Sequence, residues 1–282
     1  MSVATAAAAD SKNILAESAR SIEGGRSVSV LVAQDELKSD INQSRVAVAG
    51  GGGLLLALID VKVNSDRANR AEREIKPLRA ALTGFDADAL AKDTTASALA
   101  KLAWFQPGAV TFGRDATIQG LSAALDASAA PQQAIFQYSY DAVPDFSALR
   151  VTLTIRIANK ALAAGQKPES RLAPKALVYS QQIVSVIALP SPSKDGEENA
   201  VQWTADNGKL ARAALTTGFT QIGVLIPRAL EKSQADVDAL KHGKRTGDQG
   251  THLTGWPMDN AADGTVLYDY DGTISHFKTV GQ

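Results

Sequence analysis

At 282 residues the chain is long enough to bury a large core, as one big domain or two small ones. Its 45% hydrophobic and 21% charged residues mark a chain that folds, and 29 Lys plus Arg against 30 Asp plus Glu give a net charge of −1, so no global field draws nucleic acid or an anionic membrane. The absence of cysteine excludes disulfides, thiolate nucleophiles, zinc fingers and iron–sulfur sites, and the 5% of aromatic residues leaves few platforms for stacking bases.

In chain order, Met1–Asp10 lacks a basic n-region and a long apolar h-region, so it does not read as a complete signal peptide. Residues 11–22 read as a short helix, and Ser27–Val32 alternates as a strand does. From Val46 to Ile59 no residue is charged, and this stretch holds Gly50, Gly51, Gly52, Gly53 and Leu54. As a helix its fourteen residues would span roughly 21 Å, short of the roughly 30 Å hydrocarbon core of a bilayer. Residues 64–84 place Ala68, Ala71, Ile75, Leu78 and Leu82 at helical spacing, with Pro77 expected to kink the helix or start a new one and Gly84 to end it. A further helix is predicted over 86–104, with Leu90, Leu99 and Leu102 on one side, which makes 25–106 mostly helical.

Beyond Pro107 the pattern changes. Ala109–Phe112 is a strand candidate and 116–128 an amphipathic helix. Phe136, Tyr138 and Tyr140 then alternate with polar residues, as do Val151, Leu153, Ile155 and Ile157, which predicts two half-buried antiparallel strands. Leu177–Leu189 is apolar on both faces near its end, as a covered central strand requires. A helix is expected from about Asp206, burying Leu215, Phe219, Ile222, Ile226 and Leu230 and bending at Pro227. Residues 241–262 read as a loop and 264–279 as a hairpin. The expected fold class is α+β: a helical N-terminal half with a glycine-rich apolar segment, then a mainly antiparallel sheet packed by a long amphipathic helix and closed by a C-terminal β-hairpin. Its parts are a flexible N-terminus with a short helix (1–24), the mostly helical region (25–106), an α+β core (107–240) and the loop with hairpin (241–282), forming one compact unit.

Three motifs invite chemistry. Thr265-Val-Leu-Tyr-Asp269-Tyr-Asp271-Gly-Thr273 resembles the first motif of the haloacid-dehalogenase phosphatases, which implies Asp269 as nucleophile and Asp271 as acid/base. In that family the remaining sheet and magnesium ligands follow the motif, whereas here nine residues follow Thr273. Asp271-Gly272 between two alternating runs is also a strong two-residue hairpin signal, and that is the preferred reading. Val46-Ala-Val-Ala-Gly50-Gly-Gly-Gly53 enters like a dinucleotide-binding turn, but the third small residue of that pattern falls on Leu55 or Leu56 in its two registers. A close-packed glycine contact is expected instead. His242, His252 and His276 lie near Asp248, Asp259 and Asp263 but lack metal-ligand spacing, so exposed histidines in loops and on the hairpin are expected. No G-x-S-x-G elbow and no P-loop lysine pattern occurs.

The succession SVSVLVAQDEL, INQSRVAVAGGGGLLLALID and NSDRANRAEREIKPLRAAL, followed later by paired strands and a W-T-A-D-N-G helix, resembles a loosely defined group of bacterial envelope proteins, made with a signal peptide and often as lipoproteins. The likeness covers residues 25–85 and, more weakly, 133–232. It implies a non-enzymatic, export-dependent role in the periplasm or cell envelope, against the alternative of a cytoplasmic protein. The expected function is therefore an envelope, assembly or interaction protein, with a phosphatase-like hydrolase or a small-molecule binding module as alternatives. Gly50–Gly53 with Leu54 are the expected contact segment, because four glycines bare the backbone at a cost of up to about 1 kcal/mol each within a helix. A protein partner or a second copy and peripheral membrane contact are the partners expected; no cofactor, metal or nucleic acid is.

Overall fold

A computed structural model describes residues 12–39, 70–247, 254–261 and 264–281. The elements in order are α1 (Glu17–Arg20), β1 (Arg26–Val32), β2 (Lys38–Ser39), α2 (70–81), α3 (Ala87–Leu99), β3 (Pro107–Gly113) and α4 (Ile118–Ala127). They continue as β4 (Gln132–Ala142), β5 (Ala148–Asn159), α5 (Lys160–Ala163), α6 (Pro168–Arg171), β6 (Leu177–Ala188), α7 (Gly196–Glu231), α8 (Gln234–His242), β7 (Thr246–Gly247), β8 (Thr254–Ala261), β9 (Gly264–Tyr268) and β10 (Ile274–Thr279).

The strands form one path, β3-β1-β4-β5-β6-β10-β9-β8-β7, with β2 pairing β4 off it. β4, β5 and β6 are antiparallel neighbours, as are β10, β9, β8 and β7; the parallel pairs are β3 with β1, β1 with β4, β2 with β4 and β10 with β6. The described residues of 25–106 contribute strands β1 and β2 as well as helices α2 and α3, so a mostly helical N-terminal half is not confirmed. β1 lies inside the sheet, and the alternation of its residues explains why. Val28, Val30 and Val32 enter the main core, while Ser27 and Ser29 are satisfied on the other face by Ser128 Oγ (2.8 Å), Gln133 Nε2 (2.9 Å) and Thr111 Oγ1 (2.9 Å). A strand buried on both faces needs a neighbour on each edge to pair its backbone groups, and β3 and β4 provide them.

One face of the sheet carries α3 and α7. On β4 it presents Ala134, Phe136, Tyr138 and Tyr140, and on β5 Val151, Leu153, Ile155 and Ile157. The residues expected to face the sheet from α7 (Leu215, Phe219, Ile222, Ile226 and Leu230) are all buried, and Phe219 stacks on Tyr138 with ring centroids 5.6 Å apart. Close approach of this helix requires Gly218, whose hypothetical Cβ would lie 2.7 Å from Val151 Cγ2. On the opposite face α4 sets Leu121 against Leu31 and Ile135, and Leu125 against Ala158 and Leu177.

α7 starts earlier than Asp206 and is broken there. Asp195 caps its first turn by accepting from Glu197 N (3.0 Å), and Asp206, Asn207 and Gly208 all adopt left-handed φ values of 51°, 56° and 72°. Asp, Asn and Gly are the residues that tolerate this region best. The break receives the end of α2: Arg212 donates to the carbonyls of Ala81 and Thr83, each at 2.7 Å. Helical dihedrals continue through Pro227, and α2 runs through Pro77, so neither proline ends its helix. The segment before the break clamps the β4–β5 turn. There Trp203 Nε1 donates to Phe146 O (2.7 Å) and Asn199 Nδ2 to Asp145 O (2.8 Å).

Candidate functional site

α3 begins where Asp86 Oδ1 accepts from Ala89 N (2.9 Å), and it buries Ala87, Ala91, Thr95, Ala98 and Leu99 against β1 and α7. Beyond Lys92, its flank toward the sheet edge carries short side chains, Ala96 and Ala100, followed by Ala103 in the next turn. Alanine is the best helix former but reaches least, so the helix is held by β1 and α7 and stands off β3. β3 itself is anchored closely: a Cβ on Gly108 would lie 3.1 Å from Arg26 O. Between α3 and β3 a cleft of about 630 Å³ remains.

Its floor is apolar. Val28 and Val30 of β1 form the base, and Leu99, Leu102 and Phe105 close the inner end. The one buried hydroxyl there is engaged, since Thr95 Oγ1 and Tyr138 OH lie 2.7 Å apart. Burial raises the Tyr138 phenol far above its ordinary range, only partly offset by that bond. The outer wall is the edge strand, with Val110 61% exposed and Phe112 beside it. At the mouth, Lys92 places Nζ 4.0 Å from the Phe112 ring centroid, within cation–π range, and Asp93 lies next to it. Just outside, Arg114 pairs with Asp88 (2.7 Å) and with Asp35. Burial, and then the neighbouring Asp86, raise the Asp88 carboxyl, while Lys92 acts against them.

The residues singled out from sequence fall elsewhere. Gly50, Gly51, Gly52, Gly53, Leu54 and His252 lie outside the described residues. Asp269 and Asp271 sit in the β9–β10 connection. Tyr268 and Ile274 are its last paired residues, so the link is five residues long, not two. It closes through Asp269 N to Thr273 O (2.8 Å) and Gly272 N to Asp269 O (3.1 Å). Asp269 Oδ1 accepts from Tyr270 N (2.6 Å) and Asp271 Oδ1 from Thr273 N (2.9 Å), so each carboxylate serves the turn backbone. Gly272 has a φ of +91° and abuts Asn13.

His276 is buried, not exposed: β10 alternation puts it on the inner face with Ile274, and its Nδ1 lies 2.9 Å from Ser185 Oγ. Both residues are buried, so the pair joins two strands inside the core. His242 is exposed but ends α8, in a stretch expected to be a loop. Among the described residues no three His, Asp or Glu side chains converge as metal ligands, and no helix is long and apolar enough to cross a membrane.

Two buried cations were not anticipated. Arg26 donates to Gln132 Oε1 (2.8 Å) and to the carbonyls of Arg20 (2.7 Å) and Ala19, with its guanidinium 5.5 Å and 5.4 Å from the Trp104 and Phe105 rings; burial lowers it to about 10. Lys232, at the end of α7, donates to Gln181 Oε1 (2.9 Å) and lies 4.4 Å from the Tyr268 ring centroid. Burial, and then Lys241, lower it from 10.5 to about 8. Both fasten the N-terminal segment and the C-terminal hairpin to the core.

No family model, curated protein or solved structure matches the chain.

Proposed function

We propose that the chain is a non-enzymatic binding protein whose ligand is a small, largely apolar molecule held between α3 and β3. The observation that carries this reading is the cleft itself. Its volume, about 630 Å³, falls within the range of roughly 300–1,000 Å³ typical of small-molecule sites, and its apolar floor with a few polar groups at the mouth has the composition such sites need. The reading takes up the small-molecule alternative in place of the expected protein or membrane contact, and it rests on α3 and β3, since Gly50–Gly53 lie outside the described residues. The setting we propose is the cell envelope, supported by the likeness of residues 25–85 to envelope proteins.

Titration with an uncharged, environment-sensitive naphthalene dye tests the cleft. One dye should bind saturably per chain. Ala96→Trp, on an exposed position of a helix, fills the cleft without entering the core and should weaken binding at least tenfold while leaving the far-ultraviolet circular dichroism and melting temperature unchanged. Binding that is equally tight in Ala96→Trp would refute the assignment.

A further inference from the structure

We infer that the ligand of the α3–β3 cleft is an amphiphile with one carboxylate and an unbranched or aromatic apolar body, the carboxylate paired with Lys92. This rests on the cleft reading above and adds the head group. Lys92 makes no hydrogen bond or ion pair with any described residue; its ammonium lies over Phe112, at the boundary between the apolar floor and solvent. The nearby acid with which it interacts electrostatically, Asp88, is also paired with Arg114 at 2.7 Å. Among the described residues lining the cleft both hydroxyls are engaged, Thr95 with Tyr138 and Thr111 with Ser29 and Val28 O. A polar group on the ligand therefore gains nothing at depth and would lose its water there. At the mouth it meets a cation. Lys92 is exposed, so the ion pair it forms there is a surface one, of modest strength and weakened by salt.

Asp93 stands at the same mouth and opposes a carboxylate, which makes it a second handle. Removing its charge should favour an anionic head and leave a neutral one unaffected.

Isothermal titration with decanoate and decanol, matched in chain length and differing in head group, separates the parts of the proposal. Wild-type protein should bind decanoate at least fivefold more tightly than decanol at low ionic strength, with the ratio falling as salt is added. Lys92→Met, which preserves the aliphatic stem, should bring the two within twofold by weakening decanoate alone, and Lys92→Arg should restore the preference. Asp93→Asn should tighten decanoate only. Equal affinities in wild type, or a preference that survives Lys92→Met, would overturn the head-group assignment and leave the cleft reading standing. If neither amphiphile binds, or if Ala96→Trp binds both as wild type does, the cleft reading falls and this inference with it.

Discussion

Lys232 gives a test of the burial that organises the C-terminal part of the fold. The residue is 4% exposed, and its ammonium has a neutral hydrogen-bond partner and an aromatic face, with no carboxylate among the contacts described. Lowering a lysine from 10.5 to about 8 corresponds to about 3 kcal/mol, at about 1.4 kcal/mol for each tenfold change in proton affinity. The folded chain binds this proton less tightly than the unfolded chain. Between pH 8 and 10.5 the unfolded state therefore holds more protons, and stability contributed by this site rises with pH. Below pH 8 the full cost of burying the charge is present; above 10.5 it is gone. From pH 7.5 to 9.5 the gain is about 2 kcal/mol by the same linkage. Above about pH 10 the buried phenols of Tyr138 and Tyr179, both raised by burial, act in the opposite sense, so the comparison belongs below that value. Unfolding by urea should be followed across this range for wild type and Lys232→Met. The methionine leaves Gln181 Oε1 without its donor and changes the level of stability, so the slope is the diagnostic quantity. Parallel curves from pH 7.5 to 9.5 would refute the argument.

Gly218→Val drives a branched side chain into Val151 across a 2.7 Å gap, and urea unfolding should show a loss of about 2 kcal/mol or more. Trp203→Phe removes the donor to Phe146 O from a fully buried site; a loss of about 1–3 kcal/mol is expected in the same assay, with altered near-ultraviolet circular dichroism from the β4–β5 turn. Because Asp269 and Asp271 serve the hairpin backbone, magnesium-dependent hydrolysis of a generic phosphate ester should be at background, and Asp269→Asn should leave it there. Turnover abolished by Asp269→Asn would establish the phosphatase alternative.

Alternation made β4 and β5 legible in the sequence, since period-two patterning reports which side chains face a core, whereas β9 and β10 were marked by the Asp271-Gly272 turn signal between them. The inner face of the second part of α7 was legible for the analogous reason. What alternation does not report is the neighbour of each strand. Val28 and Val30 announce β1 as a strand but say nothing of its parallel pairing with β3 and β4, and a strand flanked by predicted helices reads as an outlier. The first segment of α7 escaped because Val201 is 63% exposed, which weakens its helical pattern, and Asp206-Asn207-Gly208 reads as a start although it is an interior break. His276 was within reach: its parity with Ile274 puts it inside. The cleft was not, because Ala96, Ala100 and Ala103 read as ordinary helix filler, and a space left by short side chains leaves no residue type behind as a signal.

The position of β10 bears on how the chain is made. Synthesised after every other described strand, it lies between β6 and β9 in the interior of the sheet. Until the ribosome has passed residue 279 and released that stretch, β6 presents an unpaired edge with apolar Ile183 and Ile187 beside it. From the completion of β6 at Ala188 to that of β10 at Thr279 the nascent chain thus carries an adhesive strand edge, so folding of this sheet is completed from its last strand and depends on that strand arriving before another β edge does.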